Sequence, residues 1–343
     1  MSRLAVAYAL CCALILASAV ALSADQAVAP IPASAFSEYP IKTQQTDARY
    51  ITSGPDGALW FSELSSSQIG RIATDGTLTE FAVRGDVHPN GITTGPDGNL
   101  WFTETSAGMI GQMTPDGKVK QFRPPTSYAG PVGIVTGPDG NLWFTEFVVD
   151  KIGRITPDGK ITEFAVAPQP KLTNTQTTLA TPAPRGVFQI TVGPDKNLWF
   201  TEQTGNQIGR ITPDGTITEY PLIGDNNYPD SIVTGPDGNL WFTETGTGRI
   251  GRITPSGVVT SYEIPTRHSA ASGIAVGPDG KLWFTENQVA QLGKIDPTTA
   301  RMAEFALPSQ DSHPTGIVAG PDKNLWFIET GINKIARYTP PSI

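Results

Sequence analysis

Residues Gly95 to Glu104 read Gly-Pro-Asp-Gly-Asn-Leu-Trp-Phe-Thr-Glu. Six residues after that glutamate comes Ile110-Gly111-Gln112-Met113-Thr114-Pro115-Asp116-Gly117. The same phrase recurs around Trp60, Trp101, Trp143, Trp199, Trp241, Trp283 and Trp326, which are all the tryptophans of the chain, and its second half reads Ile-Gly-Arg-Ile-Thr-Pro-Asp-Gly or a close variant. Successive tryptophans are 41, 42, 56, 42, 42 and 43 residues apart. A period near 42 with four short apolar runs per unit is the signature of a β-propeller. The expected fold is therefore all-β: seven blades of four antiparallel strands each. Residues found in every copy cannot by themselves account for function.

The unit reads as strands joined by tight turns. In the second copy, Gly91 to Thr94 is strand a, Leu100 to Glu104 strand b, Ile110 to Met113 strand c and Val119 to Phe122 strand d. Pro96-Asp97-Gly98 and Pro115-Asp116-Gly117 make the a–b and c–d turns: proline presets φ, aspartate accepts a local hydrogen bond, and glycine takes positive φ. Lys196 and Lys323 stand where five copies have that first glycine. A lysine at positive φ costs roughly 1–2 kcal/mol, so these two turns are expected to be built differently. Strand b is apolar on both faces, as a blade sandwiched between neighbours requires. Burying each tryptophan removes roughly 200 Å² from water, about 5 kcal/mol before entropy.

The last copy runs out at Pro340-Pro341-Ser342-Ile343 without a strand d. Phe36-Ser37-Glu38-Tyr39-Pro40-Ile41 closely resembles Ile217-Thr218-Glu219-Tyr220-Pro221-Leu222, which is a strand d. The N-terminal segment is therefore expected to complete the last blade and close the ring, leaving no open seam.

The chain has 343 residues, a formal net charge of −8 and only 16% charged residues. No Lys/Arg cluster marks a nucleic-acid partner. Arg3 precedes an apolar stretch from Leu4 to Leu22, followed by the small residues Ser23 and Ala24 and then Asp25. This reads as a signal peptide over residues 1–24, with an uncleaved membrane anchor as the alternative. Cys11 and Cys12 both lie inside it, so the mature chain needs neither disulfides nor a thiol nucleophile. The expected localisation is secreted or periplasmic. The organisation is a linker at 25–35, the propeller at 36–343, and an insert loop at 167–186 that could act as a lid over the ring. A monomer is expected.

A tight a–b hairpin puts the start of strand a and the end of strand b on one rim. Counting across the turn pairs Arg49–Glu63, Asn90–Glu104, Val132–Glu146, Phe188–Glu202, Asp230–Glu244, Ser272–Glu286 and Thr315–Glu329, and these pairs are expected to ring the channel mouth. The glutamate occurs in all seven copies and reads as scaffold, bonded to backbone or to a strand-c cation (Arg71, Arg154, Arg210, Arg252, Lys294 or Arg337). The variable partners are the place to look for function. His88 and His313 share one repeat position and flank the blade of Arg49; these three are the catalytic candidates. Asn90, Asp230, Ser272 and Thr315 are candidates for contacting a small-molecule or peptide ligand at the mouth. Asp230 opposite Glu244 would be two close carboxylates, able to share a proton or hold a divalent cation, with a salt link to Arg252 as the bland alternative. His268 lies in the loop before the sixth strand a. No Gly-x-Ser-x-Gly, P-loop, His-Glu-x-x-His or Cys-x-x-Cys motif is present.

Leu-Trp-Phe-Thr-Glu followed by Ile-Gly-Arg-Ile, repeated over residues 36 to 340, resembles the streptogramin B lyase (virginiamycin B lyase) family. The resemblance implies a seven-bladed propeller that opens a cyclic depsipeptide by elimination. A base removes the proton α to the ester carbonyl while Mg²⁺ polarises that carbonyl. Carried over by position, the family's base histidine falls on Ser272, one metal glutamate on Ala270, the other on Glu286, and a substrate-contacting histidine on Asp230. Only Glu286 keeps the family's residue type; Glu286 and Glu244 are the candidate Mg²⁺ ligands. Two functions stay open. One is a Mg²⁺-assisted carbon–oxygen lyase acting on an ester or lactone through a rearranged site, with a metal-dependent lactonase as a variant. The other is a non-catalytic binding propeller of the cell envelope.

Overall fold

The computed structural model describes residues 28–166 and 184–340. Its strands form seven antiparallel sheets. Blade 1 holds Ala48–Ser53, Leu59–Glu63, Gln68–Ile72 and Leu78–Ala82 as strands a to d, and blades 2 to 6 repeat this order. Strands a of successive blades contact one another, and that of blade 7 contacts that of blade 1, which closes the ring around a central channel.

Blade 7 takes its outer strand from the N-terminal segment. Phe36–Pro40 runs antiparallel to Lys334–Tyr338, with Phe36 opposite Tyr338 and Pro40 opposite Lys334. Tyr39 stacks on Trp326 at 5.6 Å, the place that Phe81, Phe122, Phe164, Tyr220 and Tyr262 fill on the tryptophans of blades 1 to 5. The closure expected from sequence is met. The stretch before it is more than a linker. Ala29–Pro30 pairs in parallel with the outer strand Met302–Ala306 of blade 6, and Ile31 is buried against Leu307. Residues 1–27, and with them the expected signal peptide, lie outside the described residues, as do 167–183 of the insert loop and 341–343.

Seven cores sit between the blades rather than within them. Trp60 and Ile69 of blade 1 pack with Leu100 and Phe102 of blade 2. The pattern repeats around the ring until Trp326 meets Leu59 and Phe61. Both faces of strand b are buried because each faces a different neighbour. The a–b turn serves the same core. Its aspartate takes the indole N–H, and the preceding glycine must lack a side chain: a Cβ on Gly137 would lie 2.4 Å from Trp143 Cδ1.

The turns at Lys196 and Lys323 are not built differently. Both lysines adopt the left-handed conformation, at φ 60° and 61°, and close the same bonds to the Gly193 and Gly320 carbonyls. The backbone keeps the glycine geometry and bears the steric cost.

Candidate functional site

The pairing at the mouth is shifted by one residue from the sequence expectation. Glu63 lies opposite Ala48 rather than Arg49, and Glu244 opposite Pro229 rather than Asp230. The same shift holds for Glu104 with Pro89, Glu146 with Pro131, Glu202 with Val187, Glu286 with Ala271 and Glu329 with Pro314. The cause is a β-bulge in every strand a: Ala48 to Ile51 spans three residues while Glu63 to Phe61 spans two. The strand-b hydroxyl stitches the bulge to the next blade. Thr145 Oγ1 receives the Gly133 N–H at 2.8 Å and donates to the Phe188 carbonyl at 2.6 Å.

The glutamates do not line the mouth. All seven are buried; four are bonded by loops or outer strands of their own blades, while among the described residues both carboxylate oxygens of Glu146, Glu286 and Glu329 have no hydrogen-bond partner. Glu104 accepts from Gln121, Glu63 from Ser66, and Glu244 from Ser261 and Thr247. Glu202 is bridged to Glu219 by Arg185, which stands at the end of the insert loop. Burial pushes Glu286 up to about 8, with the nearby charge of Glu304 adding to it. Nor do the strand-c cations serve the glutamates. Arg71 bonds Asp56 at 2.6 Å, and Arg252 lies over the Trp241 ring at 5.7 Å rather than beside Glu244. The glutamate is scaffold, but through its own blade.

The rim itself is built on strained backbone. The residue just before each strand a is left-handed: Asp47, His88, Gly130, Gly186, Tyr228, Ala270 and His313 have φ between 44° and 65°. Five of the seven are not glycine, a conformation that persists only where the surroundings enforce it. His88 and His313 therefore do share one structural position. His313 is exposed and its Nδ1 meets the Asn287 carbonyl at 3.1 Å. His88 is half-buried and lies between Ser106 and Asp86. Arg49 is turned onto Asp47 through two bonds of 3.2 and 3.1 Å. Asn90 donates to Thr105 Oγ1 at 3.2 Å, and Thr315 bonds Thr330 at 2.9 Å. His268 is an exposed loop residue. An open depression at Gln44, Gln45, Asp47, Ser65, Thr330 and Asn333 lies between blades 7 and 1.

Below the rim the lumen is asymmetric. At the bulge position, blades 2, 3, 6 and 7 carry Gly91, Gly133, Gly273 and Gly316, where a Cβ would lie 2.3 to 2.7 Å from a neighbouring carbonyl. Blades 1, 4 and 5 carry Tyr50, Gln189 and Ser231 instead. Tyr50 reaches across to Gln189 and to the charge of Asp230, and burial followed by that carboxylate pushes its phenol well up. It stays a neutral donor. Asp230 is enclosed by protein yet retains solvent access through the channel. Its carboxyl is raised to about 7 by burial, against the opposing effects of Ser272 and Arg49. Ser272 Oγ donates to its Oδ2 at 3.4 Å. Sequence reasoning reached Asp230, Ser272 and Arg49 but missed Tyr50 and Gln189. Their signal was available: three large or polar residues where four other copies have glycine.

The rim also has two chemical halves. Blades 7, 1 and 2 present His313, Arg49, His88 and Asn90. Around blades 3 to 5 stand the exposed Tyr128, Val148, Ile223 and Tyr228, with Phe147 edge-on to Phe188 at 6.1 Å.

Glu286 and Glu244 do not come together. Their carboxylates are sequestered in separate blades, and among the described residues no three His, Cys, Asp or Glu side chains converge. Ala270, where the resemblance implies a second metal glutamate, has no side-chain ligand atom.

The architecture is that of a seven-bladed propeller with a polar lumen at one channel mouth. The virginiamycin B lyase family model matches residues 23–178 and 169–342, and the chain belongs to that family. Selenomethionine-substituted virginiamycin B lyase from Staphylococcus aureus superposes with a TM-score of 0.80 at 34% identity, covering 89% of this chain and 99% of that one. A catalytically inactive histidine-to-alanine variant of the S. aureus enzyme, crystallised with quinupristin, matches with the same TM-score, identity and coverage. The virginiamycin B lyase of Bordetella parapertussis is 39% identical over 46 residues, 13% of this chain. That match spans only 15% of the relative's length.

Proposed function

We propose that the chain binds an amphipathic ester- or lactone-containing small molecule or peptide at the channel mouth and opens it by elimination, as a carbon–oxygen lyase. The observation that carries this reading is the Asp230 carboxylate: it lies in the lumen, hydrogen-bonded by Ser272 and with an acidity near neutrality. A base with a pKa close to the working pH is effective in proton transfer. Asp230 takes the proton α to a carbonyl. The electron pair forms a carbon–carbon double bond, and the β C–O bond breaks with its pair leaving on the carboxylate. Arg49 offers that anion a partner, and Tyr50 is a neutral donor on the same lumen. No step is assigned to magnesium. The two halves of the rim suit a ligand with an apolar side and a polar side.

A second reading, a non-catalytic binding propeller of the envelope, is favoured by Ser272 and Ala270 at positions where the resemblance implies a base and a metal ligand. In both readings the chain works outside the cytoplasm as a monomer after loss of residues 1–24. Incubation with quinupristin, followed by chromatography and mass analysis, separates the two. Elimination gives a linear product of unchanged mass. Saturable binding without product supports the binding propeller, and neither binding nor product rejects both.

A further inference from the structure

The rim of blade 2 holds a hydroxyl, an imidazole and a carboxylate in line. Ser106 Oγ is hydrogen-bonded to His88 Nδ1, and His88 Nε2 lies 3.2 Å from Asp86 Oδ1. One neutral tautomer satisfies both contacts: Nε2–H donates to Asp86, which leaves the Nδ1 lone pair facing the serine. The two loops are tied together by the Thr105 N–H, which bonds the His88 carbonyl at 3.2 Å. Val87 is buried and anchors the segment between the acid and the imidazole. Ser106 itself is exposed at the mouth, where a ligand can reach it.

The ring supplies its own control. Blade 7 repeats Asp311-Ser312-His313, but the counterpart of Ser106 is Gly331, and His313 turns to a backbone carbonyl. Blade 1 keeps the serine as Ser65 but has Asp47 in place of the histidine. Blades 3 to 6 have Gly130, Gly186, Tyr228 and Ala270 at the histidine position. Blade 2 alone combines all three groups.

We propose that Ser106, with His88 as its base and Asp86 behind it, is a nucleophile that accepts acyl groups from esters reaching the channel mouth. Ser106 Oγ attacks the ester carbonyl carbon as its proton passes to His88 Nδ1. The tetrahedral adduct collapses, the C–O bond to the alcohol breaks, and the alcohol leaves with the proton from His88. Water then attacks the acyl-serine, His88 takes its proton and returns it to Ser106 Oγ, and the acid is released. The balance is ester plus water giving acid plus alcohol. This chemistry is independent of Asp230 and leaves a different trace, since hydrolysis adds one water to a cyclic ester whereas elimination leaves its mass unchanged. Asp86 is 87% exposed, so its contribution is screened by solvent and acylation of activated esters is the expected extent of the activity.

The test is incubation of the mature chain with p-nitrophenyl acetate, followed by peptide mapping. The expected result is an acetyl group on the peptide carrying Ser106, absent in Ser106→Ala. It should form on the order of a hundredfold more slowly in His88→Asn. Asp86→Asn should show a smaller loss. Acetylation confined to other residues, or equal labelling of Ser106 in His88→Asn, would overturn the proposal. Ser106 and Asp86 are exposed and His88 is half-buried, so circular dichroism of each of the three variants checks folding directly.

Discussion

The indole Nε1 of Trp60 donates to Oδ1 of Asp56 at 3.0 Å, and Arg71 both bonds that aspartate and lies over the indole ring at 5.9 Å. The Trp–Asp bond recurs in all seven blades at 3.0 to 3.1 Å. Glycine, aspartate, tryptophan and arginine of the repeated phrase thus form one device, which pins the a–b turn to the core between blades. It lies on the face opposite the candidate site.

Asp139→Ala removes the acceptor for the Trp143 N–H while the indole stays buried. An orphaned buried donor costs about 1–3 kcal/mol. Urea unfolding of this variant should show a lower midpoint with an unchanged slope; an unchanged midpoint would remove the device from the stability of the ring.

Deleting residues 36–42 strips the outer strand from blade 7 and uncovers Trp326. Thermal melting should fall sharply. Unchanged melting would mean that the ring does not depend on this closure.

Lys196→Gly and Lys323→Gly should each stabilise the chain by about 1 kcal/mol, because glycine adopts the observed left-handed backbone without the Cβ penalty. The measurement is chemical denaturation of the two single variants. A loss of stability in both would show that the lysine side chains earn a role at these turns that their backbone does not reveal.

Stability should also carry the mark of the buried glutamates. Burial raises Glu63 and Glu104 to about 7, and Glu146 and Glu329 to about 8; in Glu202 it outweighs the opposing Arg185 and gives about 7. An unfolded glutamate titrates near about 4.3. Across the window between, the folded state binds more protons than the unfolded one, so stability falls as pH rises. The contribution is full below that window and gone above about 8. The turn aspartates Asp97 and Asp139 oppose this only at lower pH: despite burial, hydrogen bonds from Asn and Trp side chains lower them. Urea midpoints should decline from about pH 5 to about pH 8, and Glu146→Gln should flatten the decline. A rising profile would contradict the assignment.

The fold was legible because its determinants are local and repeated. The turn chemistry of Pro96-Asp97-Gly98 and the two-faced strand around Trp101 specify blade and neighbour together. The closing strand was legible by its likeness to Ile217–Pro221. The site was legible only in part. A bulge is one extra residue with no fixed composition, so counting across the hairpin gave Asp230 opposite Glu244 where the structure has Pro229. That single step moved the glutamates from the mouth into the blades. Tyr50 escaped notice because its importance comes from Gln189 and Asp230 across the ring, three and four blades further along the chain. The contact between His88 and Ser106 likewise joins two loops whose spacing in sequence has no motif.

The most direct test of the account is ring opening of a streptogramin B-type depsipeptide by the wild-type chain and by Asp230→Asn, followed as linear product of unchanged mass. The account predicts product with the wild type, a loss on the order of a hundredfold or more in Asp230→Asn, and a wild-type rate that rises through about pH 7, where Asp230 ionises. Product formed equally well by Asp230→Asn would contradict it.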